Sequence, residues 1–240
     1  MALEKALYLI PVPLGDSGLD RMMPPYNREL ICGVRHFVVE DIRSARRFLK
    51  KVSKDIDIDA LSFSELNEHT KLSEIGSYLE PLSKHGEPMG VISEAGCPAV
   101  ADPGAAVVEM ALRQGLRVIP LVGPSSIIMA VMASGFNGQS FAFNGYLPVK
   151  DGERVSKLRQ LESRAWREGQ TQLFIEAPYR NLKMFSAILS ACRKDSQLCI
   201  AANLTCEGEY ICTHSIAEWR KLPEPAIQKL PAIFLLYKGD

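Results

Sequence analysis

The sequence predicts an α/β protein of two domains, the first built on a parallel sheet and the second on a mixed sheet. Three observations predict it. Short, nearly continuous apolar runs alternate with amphipathic stretches through the first half. Strands buried on both faces of a parallel sheet read this way. Gly-Pro-Ser-Ser at 123–126 interrupts the alternation and marks a boundary, giving domains 1–122 and 123–240. In the second half, Glu-Gly-Glu at 207–209 separates two strand-like runs, the signature of a hairpin and hence of antiparallel pairing.

The elements follow in order. Residues 6–12 (ALYLIPV), 36–40 (HFVVE), 89–93 (MGVIS) and 117–122 (RVIPLV) read as strands, with helices at 42–54, 70–84 and 104–114. The last helix has clear ends, with Asp102 and Pro103 before it and Gly115 after it. Beyond the boundary a serine is placed to cap the next helix. Then come a strand at 141–146, a helix at 152–168, a strand at 172–177 and a helix at 179–193. LCIAAN, EYICTH and PAIFLLY close the chain as strands.

Composition bounds the function. The 240 residues are 47% hydrophobic and 23% charged, which excludes a disordered, collagenous or coiled-coil chain. Lys plus Arg and Asp plus Glu are each 28, so any polyanion contact needs a local patch. No leader peptide and no membrane-length apolar run is read, and the expected location is the cytoplasm. Six cysteines without CxxC spacing and four scattered histidines argue against a zinc site, so no metal is expected. The cysteines read as small core residues.

In open parallel sheets, ligands sit beyond the carboxyl ends of the strands. Four loops qualify: 11–16 (PVPLGD), 40–43 (EDIR), 93–104 (SEAGCPAVADPG) and 123–126 (GPSS). The third is unusual in length and composition, with small residues that let a ligand approach the backbone. It is neither GxGxxG nor a phosphate-binding P-loop. Glu40 and Asp41 could orient a substrate hydroxyl, while Asp41 would equally serve as helix cap. In the second half IEAPYR again puts Glu176 and Arg180 after a strand, as a phosphate or sugar site or simply as a pair. Tyr179 beside them could stack on a base or pack locally. Arg43, Arg46, Arg47, Lys50, Lys51 and Lys54 recur at helical spacing with no acid among residues 43–54, opposite the apolar stripe Ile42, Ala45, Phe48, Leu49 and Val52. A basic face that starts beside the suspected site suits phosphate contact.

These loops, in this order, resemble the tetrapyrrole-methylase superfamily of S-adenosylmethionine-dependent methyltransferases, and within it the ribosomal RNA small-subunit methyltransferase I family. LYLIPVPLGD resembles the family's opening. Glu40-Asp41-Ile42-Arg43 resembles Glu-Asp-Thr-Arg, and Ser93 to Gly104 resembles Ser-Asp-Ala-Gly-Thr-Pro followed by Asp-Pro-Gly. Val122 to Ser125, Ala133 to Gly135, Gly145 to Pro148 and Glu176 to Arg180 match further blocks. Departures are Ile42 for threonine, Glu94 for aspartate, and Ala202 to Cys206 where the family has Arg-Glu-Leu-Thr-Lys.

The resemblance implies two α/β domains with S-adenosylmethionine in the cleft between them, usually in a homodimer, and methyl transfer to a cytidine ribose 2′-hydroxyl of ribosomal RNA. It implies a cofactor pocket of Pro11, Ser93, Ala95, Gly96, Pro98, Ser125, Ser126, Tyr146, Leu147 and Ala232. Arg43, Arg46, Arg47, Tyr179 and Arg180 would meet the RNA. Glu40, Asp41, Glu94 and Glu176 are the candidate bases, with no choice made among them. A small-molecule methyltransferase and a non-catalytic relative stay open, since one fold hosts many functions.

Overall fold

The structure, a computed structural model, describes residues 3–67 and 70–239. The chain forms two compact units, Met1–Ser125 and Ser126–Asp240.

In the first unit, strands β1 (Leu7–Ile10), β2 (His36–Val39), β3 (Ser62–Glu65), β4 (Met89–Ile92) and β5 (Val118–Pro120) form one sheet in the order β3-β2-β4-β1-β5. Every pairing is parallel. The helices are α1 (Pro25–Gly33), α2 (Ile42–Val52), α3 (Leu72–Tyr78), α4 (Glu80–His85) and α5 (Gly104–Arg113). Alternate strand residues face opposite cores. Tyr8, Ile10, Phe37, Val39 and Ile92 pack with Leu30 and Ile31 of α1 and with Phe48 and Leu49 of α2. Leu7, Val38, Met89 and Val91 pack with Ile75, Leu82, Val107 and Ala111. Gly90 sits where a Cβ would stand 2.7 Å from Ile10 Cδ1 and 2.9 Å from Phe37 Cδ1, so the central strand admits no larger residue there.

Several expectations are refined. The strand at 117–122 stops at Pro120, which an edge strand tolerates because its outer N–H groups need no partner. The helix expected over 70–84 is two helices, because Pro81 can occupy only the first turn of α4. Helix α1 and edge strand β3 lie where the sequence reads only as loop. Helix α1 starts on Pro25 with its fixed helical φ, and β3 (SFSE) is too polar and half-exposed to show an apolar run.

In the second unit, helices α6 (Ser126–Ser134), α7 (Asp151–Glu168), α8 (Asn181–Ala191) and α9 (Ile216–Trp219) accompany a mixed sheet. Its strands are β6 (Phe141–Tyr146), β7 (Thr171–Ile175), β8 (Gln197–Ala202), β9 (Tyr210–Ser215) and β10 (Ala232–Tyr237), in the order β6-β7-β10-β8-β9. Strands β6 and β7 are parallel, and the other pairings, including the expected β8–β9 hairpin, are antiparallel. Helix α8 begins at Asn181 rather than 179, because Pro178–Arg180 forms a tighter 3-10 turn first. Phe174 and Phe234 stack at 5.8 Å between centroids, and Trp219 donates from Nε1 to the Leu198 carbonyl at 2.9 Å. Among the described residues, no helix is long and apolar enough to cross a membrane.

Candidate active site

A parallel sheet delivers all its strand ends to one edge. The loops after β1, β2, β4 and β5 of the first unit therefore emerge together. Hydrogen bonds lace three of them. Val12 and Gly96 exchange N–H···O bonds of 2.9 and 3.1 Å, and the Cys97 thiol donates to the Pro124 carbonyl at 3.3 Å. From behind, the Asn27 side-chain amide of α1 donates to the Val122 carbonyl at 2.7 Å. Glycine is required at two crossings. Gly96 has φ +72° with Leu14 against it, and a Cβ on Gly123 would lie 2.2 Å from the Pro11 Cβ. Of the residues expected at the cofactor, Pro11, Ser93, Gly96 and Pro98 are buried within this lacework, Ala95 is exposed and Ser125 is half-buried.

Carboxylates crowd the same edge. Glu40 directly follows β2 and is half-buried, and its Oε1 accepts the Glu94 N–H at 3.4 Å. Burial pushes its carboxyl above the usual range, and the charges of Asp102 and Glu94 add to this. Glu94 is exposed, and its Oε1 accepts the Ser44 hydroxyl at 2.5 Å. Asp41 caps α2, with Oδ1 accepting from Ser44 N at 2.7 Å. That bond and the Ser44 hydroxyl hold its carboxyl below the usual range. Asp102 reads in the sequence only as part of a helix start, yet its Oδ1 accepts from both Ala99 N and Gly104 N at 2.8 Å. Nothing local in the sequence announces its proximity to Glu40, which depends on β2 and β4 being neighbours.

A groove of about 340 Å3 opens between the loop after β1, the start of α2 and the end of β4. Leu14, Asp16, Ser44, Arg47, Lys51 and Glu94 are among its walls. Asp16, the last residue of the 11–16 loop, and Lys51, of the basic face, pair at 3.3 Å. Arg43, Arg46 and Arg47 of α2 line an adjoining groove with Asp41, and the Arg46 guanidinium lies 5.5 Å over the Phe63 ring.

The second unit carries its own cluster. Glu176 is buried, and its Oε1 accepts from Arg180 Nη2 at 2.6 Å, Arg180 Nε at 3.0 Å and Ala177 N at 2.7 Å. The pair left open by the sequence therefore forms. The Arg180 guanidinium lies 5.2 Å over the Tyr179 ring, and its hydrogen bond to Glu176 holds its pKa above the ordinary arginine value. Tyr179 and Tyr146 are both about two-thirds exposed, at 65% and 64%, and so present open ring surface. Leu147 and Ala232 are buried, and Ser126 opens α6. Ala202 ends β8 against Ala232. After it the chain turns through left-handed Asn203 and Thr205, held by Thr205 N donating to Glu209 Oε2 at 2.7 Å. Among the described residues, no group of three or more His, Cys, Asp or Glu side chains is placed to hold a metal ion.

No protein-family profile matches the chain. A ribosomal RNA small subunit methyltransferase I from Thermotoga maritima is 34% identical over 168 residues, covering 70% of this chain and 70% of the relative. Its counterpart in Mesorhizobium japonicum is 32% identical over 203 residues, covering 85% and 65%, and that in Vibrio cholerae is 28% identical over 214, covering 88% and 69%. The chain thus spans about two thirds of the length of these curated relatives. Among solved structures, the methyltransferase CobJ superposes with a TM-score of 0.63 at 13% identity, covering 97% of this chain and 94% of that one. The uroporphyrin III C-methyltransferase of Thermus thermophilus superposes with a TM-score of 0.56 at 16% identity, covering 97% of each. Those two show the fold, that of the tetrapyrrole methylases. With the Thermotoga relative aligned over more than two thirds of both chains, this chain belongs to the ribosomal RNA small-subunit methyltransferase I family.

Proposed function

We propose that the protein transfers a methyl group from S-adenosylmethionine to a ribose 2′-hydroxyl of small-subunit ribosomal RNA. The observation that carries this is the laced edge of the first sheet. There, glycines at 96 and 123 let backbones meet, and carboxylates gather where a cation would be welcome. Those features suit a sulfonium cofactor: backbone groups for its polar ends and negative charge near its positive sulfur. The chemistry it would supply is an electrophilic methyl carbon. Pro11, Ser93, Ala95, Gly96, Pro98 and Ser125 would hold it at this edge, and the family resemblance adds Ser126, Tyr146, Leu147 and Ala232 as cofactor residues.

The protein's own tasks are to bring the acceptor oxygen within about 3–3.5 Å of the methyl carbon, in line, and to receive its proton. Of the four candidate carboxylates, Glu40 is best disposed as base. Asp41 is occupied as a cap and Glu176 is held by Arg180 and the Ala177 N–H. Glu94 is exposed and takes the Ser44 hydroxyl. A base must be ionised to accept a proton, so activity should rise with pH through the elevated Glu40 pKa. Arg43, Arg46 and Arg47 would meet phosphates. Arg180 and Tyr179 would meet a phosphate and a base face. The homodimer that the family resemblance implies is supported by α6, which has no charged residue and leaves Met132 exposed. The cytoplasm is the matching location.

The test is incubation of the purified protein with labelled S-adenosylmethionine and small ribosomal subunits, mapping any new 2′-O-methyl by blocked primer extension. Label in ribose supports the proposal. Cofactor binding by calorimetry without label in any RNA would favour the non-catalytic alternative that Ile42 and the Ala202–Cys206 turn motivate.

A further inference from the structure

We propose that Asp102 is a positioning residue of this site: its Oδ1 clamps the turn from Ala99 to Gly104, and its carboxyl, sharing a small cavity with that of Glu40, acts on it electrostatically. The clamp is explicit. One oxygen takes two backbone N–H groups, those of Ala99 and Gly104, at 2.8 Å each. Between them the chain adopts left-handed φ at Ala99 (+66°) and Ala101 (+61°), conformations that alanine disfavours and that persist only when held from outside. Gly104 answers the same constraint, since a Cβ there would lie 2.9 Å from Asp102 Oδ1 and 3.3 Å from Ala99 N.

The second oxygen is spent differently. Oδ2 is buried and accepts no hydrogen bond of good geometry, although the Ser93 hydroxyl lies close enough to favour the ionised form. Asp102 and Glu40 line one cavity of about 10 Å3 together with Val38, Leu66, Val91, Ile92 and Ser93. That is room for about one water. Among the described residues, the charged groups that face Glu40 are Asp102 and Glu94, while the chain leaving β3 offers it only Leu66. With apolar walls and like charges near it, Glu40 is held ready to retain a proton, as Asp102 itself is pushed up by burial. Asp102 thus sets both the shape of the cofactor loop and the proton affinity of the base beside it. The identity of the cofactor rests on the function proposed above. The coupling of the two carboxyls does not.

The experiment pairs Asp102→Asn with Asp102→Ala. Asparagine keeps an acceptor for the two N–H groups but carries no charge, whereas alanine loses both. The Glu40 side-chain carboxyl is titrated by carbon-13 NMR without cofactor, assigned through Glu40→Gln, and S-adenosylmethionine affinity is measured by calorimetry. In Asp102→Asn the Glu40 midpoint should move to lower pH, with affinity within about twofold of the parent. In Asp102→Ala affinity should fall about tenfold, as expected for the loss of two backbone hydrogen bonds. An unmoved Glu40 midpoint in Asp102→Asn overturns the proposal, as does parental affinity in Asp102→Ala. Failure of the parent protein to bind the cofactor would instead sink the methyltransferase reading, leaving the titration to judge the pair.

Discussion

Single residues in this chain are set apart by the few atoms that surround them. Gly123 is the sharpest case. A methyl group there would stand 2.2 Å from the Pro11 Cβ, far inside van der Waals contact, so the loops after β1 and β5 must separate to admit it. Gly123→Ala should therefore lower S-adenosylmethionine affinity by about tenfold or more, since misplacing a site by about 1 Å is costly. Calorimetry on the folded variant decides it. The cysteines divide just as clearly. Burial pushes the Cys192 thiol up to about 12, helped by the neighbouring Glu162 carboxylate, and that of Cys199 up to about 11. Cys32 is exposed. Because the thiolate is the reactive form, a thiol reagent at pH 8 should label Cys32 within minutes and spare Cys192 and Cys199 until the protein unfolds. Mass spectrometry of the labelled peptides would show the order, and early labelling of Cys192 would contradict it. The expectation that the cysteines are core residues thus holds for Cys192 and Cys199 and fails for Cys32, whose turn of α1 faces outward.

At the scale of an element, α2 joins stability to recognition. Its buried stripe of Ala45, Phe48, Leu49 and Val52 anchors it to the sheet, and Asp41 caps its start. Leu49→Ala, at a position with no exposure, should cost roughly 2–5 kcal/mol in chemical denaturation. The opposite face is free for another use. Arg47 belongs to both grooves along the helix, so its charge is common to them. Replacing Arg43 and Arg47 by alanine should weaken RNA binding across sequences. It should also flatten log K against log salt by about 0.7 for each single-strand phosphate that the helix no longer neutralises. Filter binding at graded salt tests this, and an unchanged slope would remove α2 from the interface. Helix α2 is legible because its charges and apolar stripe repeat at helical spacing. Strands β1 and β4 are legible because LYLI and MGVI are buried on both faces. The edge strand β3 is not, because an edge buries only part of itself and SFSE carries no apolar run. Site loops betray themselves by glycine and proline. The pairing of Asp102 with Glu40 cannot, since it depends on which strands are neighbours.

Over the whole molecule, a formal net charge of zero conceals two units with different responses to acid. In the first unit Glu40 and Asp102 have raised pKa values, both chiefly from burial, against the lowered value of Asp41. A carboxyl with a raised folded-state pKa opposes folding when ionised. The stability it withholds at neutral pH returns as pH falls through that pKa. In the second unit the shifts resolved for carboxyls are downward: Asp151, bonded to Lys183 and Arg154, and Glu218, bonded to Ser215 in its capping box. Stability from a lowered carboxyl is present above its unfolded pKa and is lost as pH falls through the folded one. Both are exposed, so each effect is small, but the signs are opposed between the units. Acidification below about pH 4, the ordinary carboxylate range, should therefore loosen the second unit before the first. The sequence supplies a selective reporter, because its two tryptophans, Trp166 and Trp219, both lie in the second unit. Trp219 is buried, and Trp166 donates from its ring nitrogen to Ser196 Oγ at 2.9 Å. Their fluorescence should shift at a higher pH than that at which amide exchange protection is lost from β1, β2 and β4. If that protection disappears first, the buried carboxyls at the edge of the first sheet do not govern its response to acid.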